Sequence, residues 1–120
     1  MKTKTSLILT VAALALSGSA LAEVKIALVA KSLGNGFFEA ANVGAQQAAK
    51  ELGDVKVIYT GPTTTTAEAQ IDVLNGLIAQ GVDAIAISAH DPDAVVKKKK
   101  KSMQRGIKVV SWDSGVAPAG

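Results

Sequence analysis

The chain has 120 residues and is 48% apolar, yet only four residues are aromatic, so alanine, valine and isoleucine must fill any core it forms. It has no cysteine and a single histidine, which excludes disulfides, thiolate zinc sites, thiol nucleophiles and a histidine-based metal centre. The formal charge of +3 is a local matter: Lys97 to Lys101 is a run of five lysines, and the rest of the chain is not basic.

Met1 to Ala22 has the pattern of an export leader. Lys2 and Lys4 are its basic start, Leu7 to Leu16 its apolar centre and Ala20-Leu21-Ala22 its cleavage site. The apolar stretch is too short to span a bilayer. The mature chain is therefore expected to begin at Glu23, as one exported domain over residues 23–120. Without Lys2 and Lys4, eleven basic residues face ten acidic ones, and five of the eleven are the lysine run.

Val24 to Ala30 is a short apolar run rich in β-branched residues, read as a buried strand. A glycine-bearing turn, Lys31 to Gly36, leads to a helix opening at Phe37, whose inward stripe is expected at Phe38, Ala41, Ala45, Ala48 and Leu52, with Gly53 as its stop. Val55 to Tyr59 is the second strand. After Thr60-Gly61-Pro62 and the threonine run, Thr65-x-x-Glu68 has capping-box spacing, and Ala67, Ile71, Leu74 and Ile78 mark the next helix up to Gly81. Ala84 to Ser88 is continuously apolar up to its last residue and is expected at the centre of the sheet. Asp91 and Pro92 look like the cap and first residue of a third helix running to about Arg105, and Ile107 to Ser111 is the fourth strand. This βα rhythm predicts a parallel α/β sheet with right-handed crossovers and helices on both faces.

The lysine run conflicts with the third helix. A stripe through Val96, Met103 and Ile107 places Lys99 or Lys100 on the packed face, where a lysine interrupts the apolar pattern. A solvated face with a local packing defect is preferred here to a patch for nucleic acid or anionic lipid.

Four loops leave the same sheet edge. They carry Lys31 and Asn35, Thr60, Ser88 and His90, and Trp112 and Asp113. A dinucleotide site fails on detail: Gly34-Asn35-Gly36 begins the fingerprint, but its third glycine falls on Glu39, and Tyr59-Thr60 stands where an acidic residue would hold a ribose. There is no phosphate-loop motif and no serine in a nucleophile elbow, so no catalytic residue, cofactor or metal is expected. The residues present suit a neutral polyhydroxylated ligand. The Asp113 carboxylate can accept hydroxyls, the Lys31 ammonium can donate, and Phe37, Phe38 or Trp112 can cover an apolar sugar face. For Phe38 the core is the competing place, and for Asp113 a turn carboxylate.

Four segments taken together resemble one family. They are Lys31 to Phe38, Tyr59 to Thr63, the Ser88–Asp93 turn and Met103 to Ser114. The family is the sugar-binding proteins of bacterial ABC importers, of the ribose/galactose-like type 1 periplasmic binding proteins, and within it the rhamnose- and autoinducer-2-binding branch. The resemblance implies a two-lobed fold of which this chain is an incomplete first lobe. It also implies a location in the periplasm, a monosaccharide ligand with rhamnose favoured over autoinducer-2, and a membrane permease as partner. Nucleic acid and direct membrane insertion are not implied. It carries ligand contacts onto Lys31, Phe37, Phe38 and Asp113. Asn35, Ser88, His90 and Trp112 complete the candidate site, although His90 stands where similar proteins often carry asparagine or another small residue.

Overall fold

The computed structural model describes residues 22–118; the expected export leader, apart from its last residue, lies outside them. The elements run in order β1 (Val24–Val29), α1 (Gly36–Leu52), β2 (Val55–Thr60), α2 (Ala67–Gln80), β3 (Ala84–Ile87), α3 (Val96–Gln104) and β4 (Lys108–Ser111). All strand pairs are parallel and the sheet order is β2-β1-β3-β4. Ala27 lies between Ile58 and Ile85, and Val29 between Thr60 and Ile87, so β1 and β3 are interior as their apolar sequences predict. The step from β1 to β2 runs one way across the sheet and the next two steps run the other way. With right-handed crossovers, α1 covers one face and α2 with α3 covers the other.

Strand side chains alternate between these two faces. Ala27, Val29, Ile85 and Ile87 point to the α2/α3 side and join Leu74, Leu77, Ile78, Val82, Val95 and Ile107 in the main core. The α1 side is thinner. Phe38 and Ala49 are its buried helix residues, and Val110 on β4 is 61% exposed. The expected α1 stripe therefore needs correction at its far end. Ala49 is buried in place of Ala48, and Leu52 is mostly exposed. Eleven residues is close to three turns, so Ala49 rather than Ala48 stays in line with Phe38. Gly53 ends α1 as expected: at φ +83° its N–H donates to Ala49 O at 3.0 Å.

Two helix starts also differ from the sequence reading. The cap of α2 is Thr66, whose Oγ1 accepts from Ala69 N at 3.2 Å, and not Thr65; Glu68 then falls one position short of closing a capping box. Asp91 does cap, but it caps a separate turn: its Oδ1 accepts from Asp93 N at 2.9 Å and Ala94 N at 3.0 Å. Helix α3 begins only at Val96 and has no side-chain cap.

The packed stripe of α3 is rotated by about one position from its expected place. Val95, Ser102 and Ile107 are buried, while Met103 is 55% exposed. Two turns separate Val95 from Ser102, and the residues between them on that face are Lys98 and Lys99, both half-buried. With Leu74, Ile85, Ile87 and Val109 they line a void of about 10 Å³. The lysines on the packed face are thus Lys98 and Lys99, and Lys100 is exposed. No helix among the described residues is long and apolar enough to cross a membrane.

Candidate functional site

Because every strand is parallel, the turns after β1, β2, β3 and β4 all open on one edge of the sheet. The turn after β4 continues the ladder for one residue, with Trp112 N donating to Ile87 O at 3.0 Å. The chain then reverses at Asp113, the one non-glycine residue with positive φ (58°) among those described. Aspartate tolerates this left-handed conformation better than most residues. Ala89 N donates to Ser114 O at 3.2 Å and ties the reversal to the turn after β3.

Two residues remote in sequence meet Asp113 here. Ser88 is fully buried, and its Oγ donates to Asp113 Oδ2 at 2.6 Å. Lys31, the second residue after β1, brings its Nζ to 3.4 Å from the same oxygen, and both side chains stay about 30% exposed. Ser114 Oγ adds a long contact of 3.5 Å, again to Oδ2. Oδ1 thus has no protein partner among the described residues and can accept from a ligand. The Ser88 hydroxyl chiefly holds the Asp113 carboxyl below the usual carboxylate range; burial opposes it, and the Lys31 ammonium adds to the lowering.

An apolar wall stands at the same turns. The Phe37 ring, 58% exposed, stacks on Trp112 at 6.3 Å between centroids and 16° between planes. Phe38 meets both rings edge-on, at 5.3 Å and 5.7 Å. Phe38 is itself 5% exposed, so it is the support behind this pair and not a free face for a ligand. The Trp112 indole N–H donates to Ala86 O at 3.3 Å, which fixes the ring's orientation.

The other candidates divide. Asn35 is occupied as the cap of α1, its Oδ1 accepting from Phe37 N at 3.0 Å; this sets where the Phe37 ring begins. His90 is exposed, and its backbone N–H makes the structural contact, donating to Gln70 Oε1 at 2.8 Å. Thr60 takes part through its carbonyl, which accepts from Ala30 N at 3.0 Å. Gln70 was missed by the sequence reading. The available signal was its place four residues before Leu74, on the stripe continued by Leu77 and Ile78; a polar residue there must find partners inside.

The failed dinucleotide fingerprint has a physical counterpart. Glu39, at the position of the third glycine, accepts from Gly34 N at 3.2 Å and from the Tyr59 hydroxyl at 2.9 Å. A phosphate approaching this turn would meet a carboxylate. Burial, with the Glu39 carboxylate adding to it, pushes the Tyr59 phenol up to about 12. The described residues contain no cluster of metal-ligating side chains. A separate open hollow of about 700 Å³ runs along α1 and β2, lined by residues such as Val43, Gln46 and Lys56, and includes none of the candidate residues.

Comparison with known proteins gives consistent matches. A family model described as a periplasmic binding protein domain matches residues 26–120. The D-ribose/D-allose-binding protein of Pseudomonas aeruginosa is 38% identical over 96 residues, which are 78% of this chain and 30% of that protein. Among solved structures, LsrB from Clostridium saccharobutylicum in complex with AI-2 superposes with a TM-score of 0.77 at 38% identity, over 80% of this chain and 29% of that one. An ABC transporter solute-binding protein from Clostridium phytofermentas with bound L-rhamnose gives 0.71 at 33% identity, over 81% and 30%. The chain thus spans about a third of the length of the curated relatives it matches.

Proposed function

The chain belongs to the periplasmic binding protein domain family, and on that premise we propose that it forms part of the sugar-binding component of an ABC importer. In this reading it works in the periplasm, performs no chemistry, and delivers a monosaccharide to a membrane permease. The observation that carries the proposal is the meeting of Lys31, Ser88 and Asp113 beside the Phe37–Trp112 stack. The unpartnered Oδ1 of Asp113 accepts from sugar hydroxyls, the Lys31 ammonium donates to another oxygen, and the aromatic pair covers apolar C–H surface.

Within that class the favoured ligand is L-rhamnose. Its methyl group gives one end of the sugar an apolar surface to lay on Phe37, and a related protein at 33% identity was solved with L-rhamnose bound. The furanose signal AI-2 is the second reading, supported by the match at 38% identity to a protein solved with it.

Weak binding to this rim is read by amide NMR shifts as the chain is titrated to millimolar L-rhamnose, D-ribose or AI-2. The expected result is a saturable shift centred on Lys31, Phe37, Trp112 and Asp113, strongest with rhamnose and lost in Asp113→Ala and Lys31→Ala. A response to AI-2 alone would select the second ligand. Shifts unchanged in both variants, or no response to any of the three, would overturn the assignment.

A further inference from the structure

Gln70 lies one turn into α2, and its side chain is completely buried. A glutamine in that place is unfavourable unless its amide is paired. Its partners are backbone atoms at the ends of two different strands. Nε2 donates to Ala30 O at 3.1 Å and to Ser88 O at 2.8 Å, and Oε1 accepts from His90 N at 2.8 Å. Only one orientation of the amide serves all three. Turned over, it would aim its NH₂ at an N–H and its oxygen at two carbonyls.

Each partner borders a residue of the rim. Ala30 precedes Lys31; Ser88 is the residue whose hydroxyl donates to Asp113; His90 stands at the exit of the same turn. The ladder between β1 and β3 makes one more rung past the strands, Ser88 N to Val29 O at 3.0 Å, and beyond it the Gln70 amide joins the two chains. On the other side Gly61 closes in. A Cβ at that position would stand 3.0 Å from Ala30 O, so this carbonyl is held between the exit of β2 and the glutamine.

We propose that Gln70 is the positioning residue of this rim: its amide clamps the ends of β1 and β3 so that the Lys31 amine and the Ser88–Asp113 pair keep the spacing a ligand meets. It does so without touching the ligand. The functional part of this proposal rests on the reading of the rim as a sugar site. The clamp itself is independent of that reading.

Gln70→Met keeps the length of the side chain and removes every hydrogen bond. In the unliganded 120-residue chain, hydrogen exchange at the His90 amide is expected to accelerate by about tenfold or more. The Asp113 carboxyl, followed by NMR, is expected to titrate nearer the ordinary range as the Ser88 hydroxyl loosens. Amides of Ala27 and Ile85 in the core strands should keep their protection. A folded variant with neither change, or one in which rim and core amides lose protection equally, would overturn the proposal. Should Gln70→Met not fold, the wild-type chain decides: the Gln70 side-chain amide protons should exchange far more slowly than those of exposed Gln47, and equal rates would overturn it. None of these measurements involves sugar. A failed titration with L-rhamnose, D-ribose and AI-2 would therefore remove the sugar reading and leave the clamp standing.

Discussion

Helices α2 and α3 cover the same face of the sheet by different means. Helix α2 buries Leu74, Leu77 and Ile78 together with one polar side chain, Gln70, whose donor and acceptor atoms are all paired. Helix α3 buries only Ser102, whose hydroxyl turns back on its own helix to Lys98 O at 2.8 Å, and it relies on Val95 and Ile107 just beyond its ends. Where its apolar centre should be, Lys98 and Lys99 border a void. Polarity on a packed face is therefore not in itself a defect. The glutamine joins two strands because its partners are fixed backbone atoms, whereas the lysines give only their stems to the core and must carry their charge out to water.

That contrast can be broken most directly by truncation. Leu74→Ala is expected to lower stability by about 3 kcal/mol, since it removes a buried side chain beside an existing void. Met103→Ala on α3 should change stability by less than about 0.5 kcal/mol, because that residue is mostly exposed. Urea denaturation of both variants measures the difference, and equal losses would mean that the two helices contribute alike.

A smaller effect of opposite sign sharpens the same comparison. Lys98→Leu or Lys99→Leu should raise stability by about 1 kcal/mol each, roughly the value of one newly buried methylene. Lys100→Leu, on the exposed side, should leave the melting temperature unchanged. A rise at Lys100 and none at Lys98 would place the packed stripe where the sequence reading put it.

The sequence made the sheet legible because buried parallel strands announce themselves. Ile26 to Val29 and Ala84 to Ile87 are apolar without a break, and each is followed by a turn and a helical period. Lys31 and Asp113 could be assigned to one edge because parallel topology sends every strand end the same way. Their approach to 3.4 Å depends on the left-handed turn at Asp113, which an aspartate permits but does not announce. Helix phase was less readable. Helix α3 starts at Val96 and not at Pro92, behind the separate Asp91 turn, and its packed stripe lies one position from the expected one, with Ser102 in place of Met103 and Lys98 in place of Lys100. Gln70 was hidden for a related reason: its importance lies in backbone atoms 18 to 40 residues away, which no local pattern encodes.

The smallest expected effect concerns acid. Asp113 is held below the ordinary carboxylate range, first by the Ser88 hydroxyl and then by Lys31, so its charged form is favoured by the folded chain. A carboxyl lowered on folding contributes stability that is present above its unfolded value. That contribution is lost as pH falls through the folded value, because the unfolded chain takes up the proton first. Stability should therefore decline from about pH 4 downward. Asp113→Asn should make this decline shallower, with no change of slope near neutrality. Asp91 is lowered too, by the Ala94 and Asp93 amides, and part of the slope must survive in that variant. Urea midpoints measured at intervals across the acid range separate the two carboxyls. A slope identical in wild type and Asp113→Asn would mean that the Ser88–Asp113 hydrogen bond is no stronger in the folded chain than a carboxylate's ordinary contact with water.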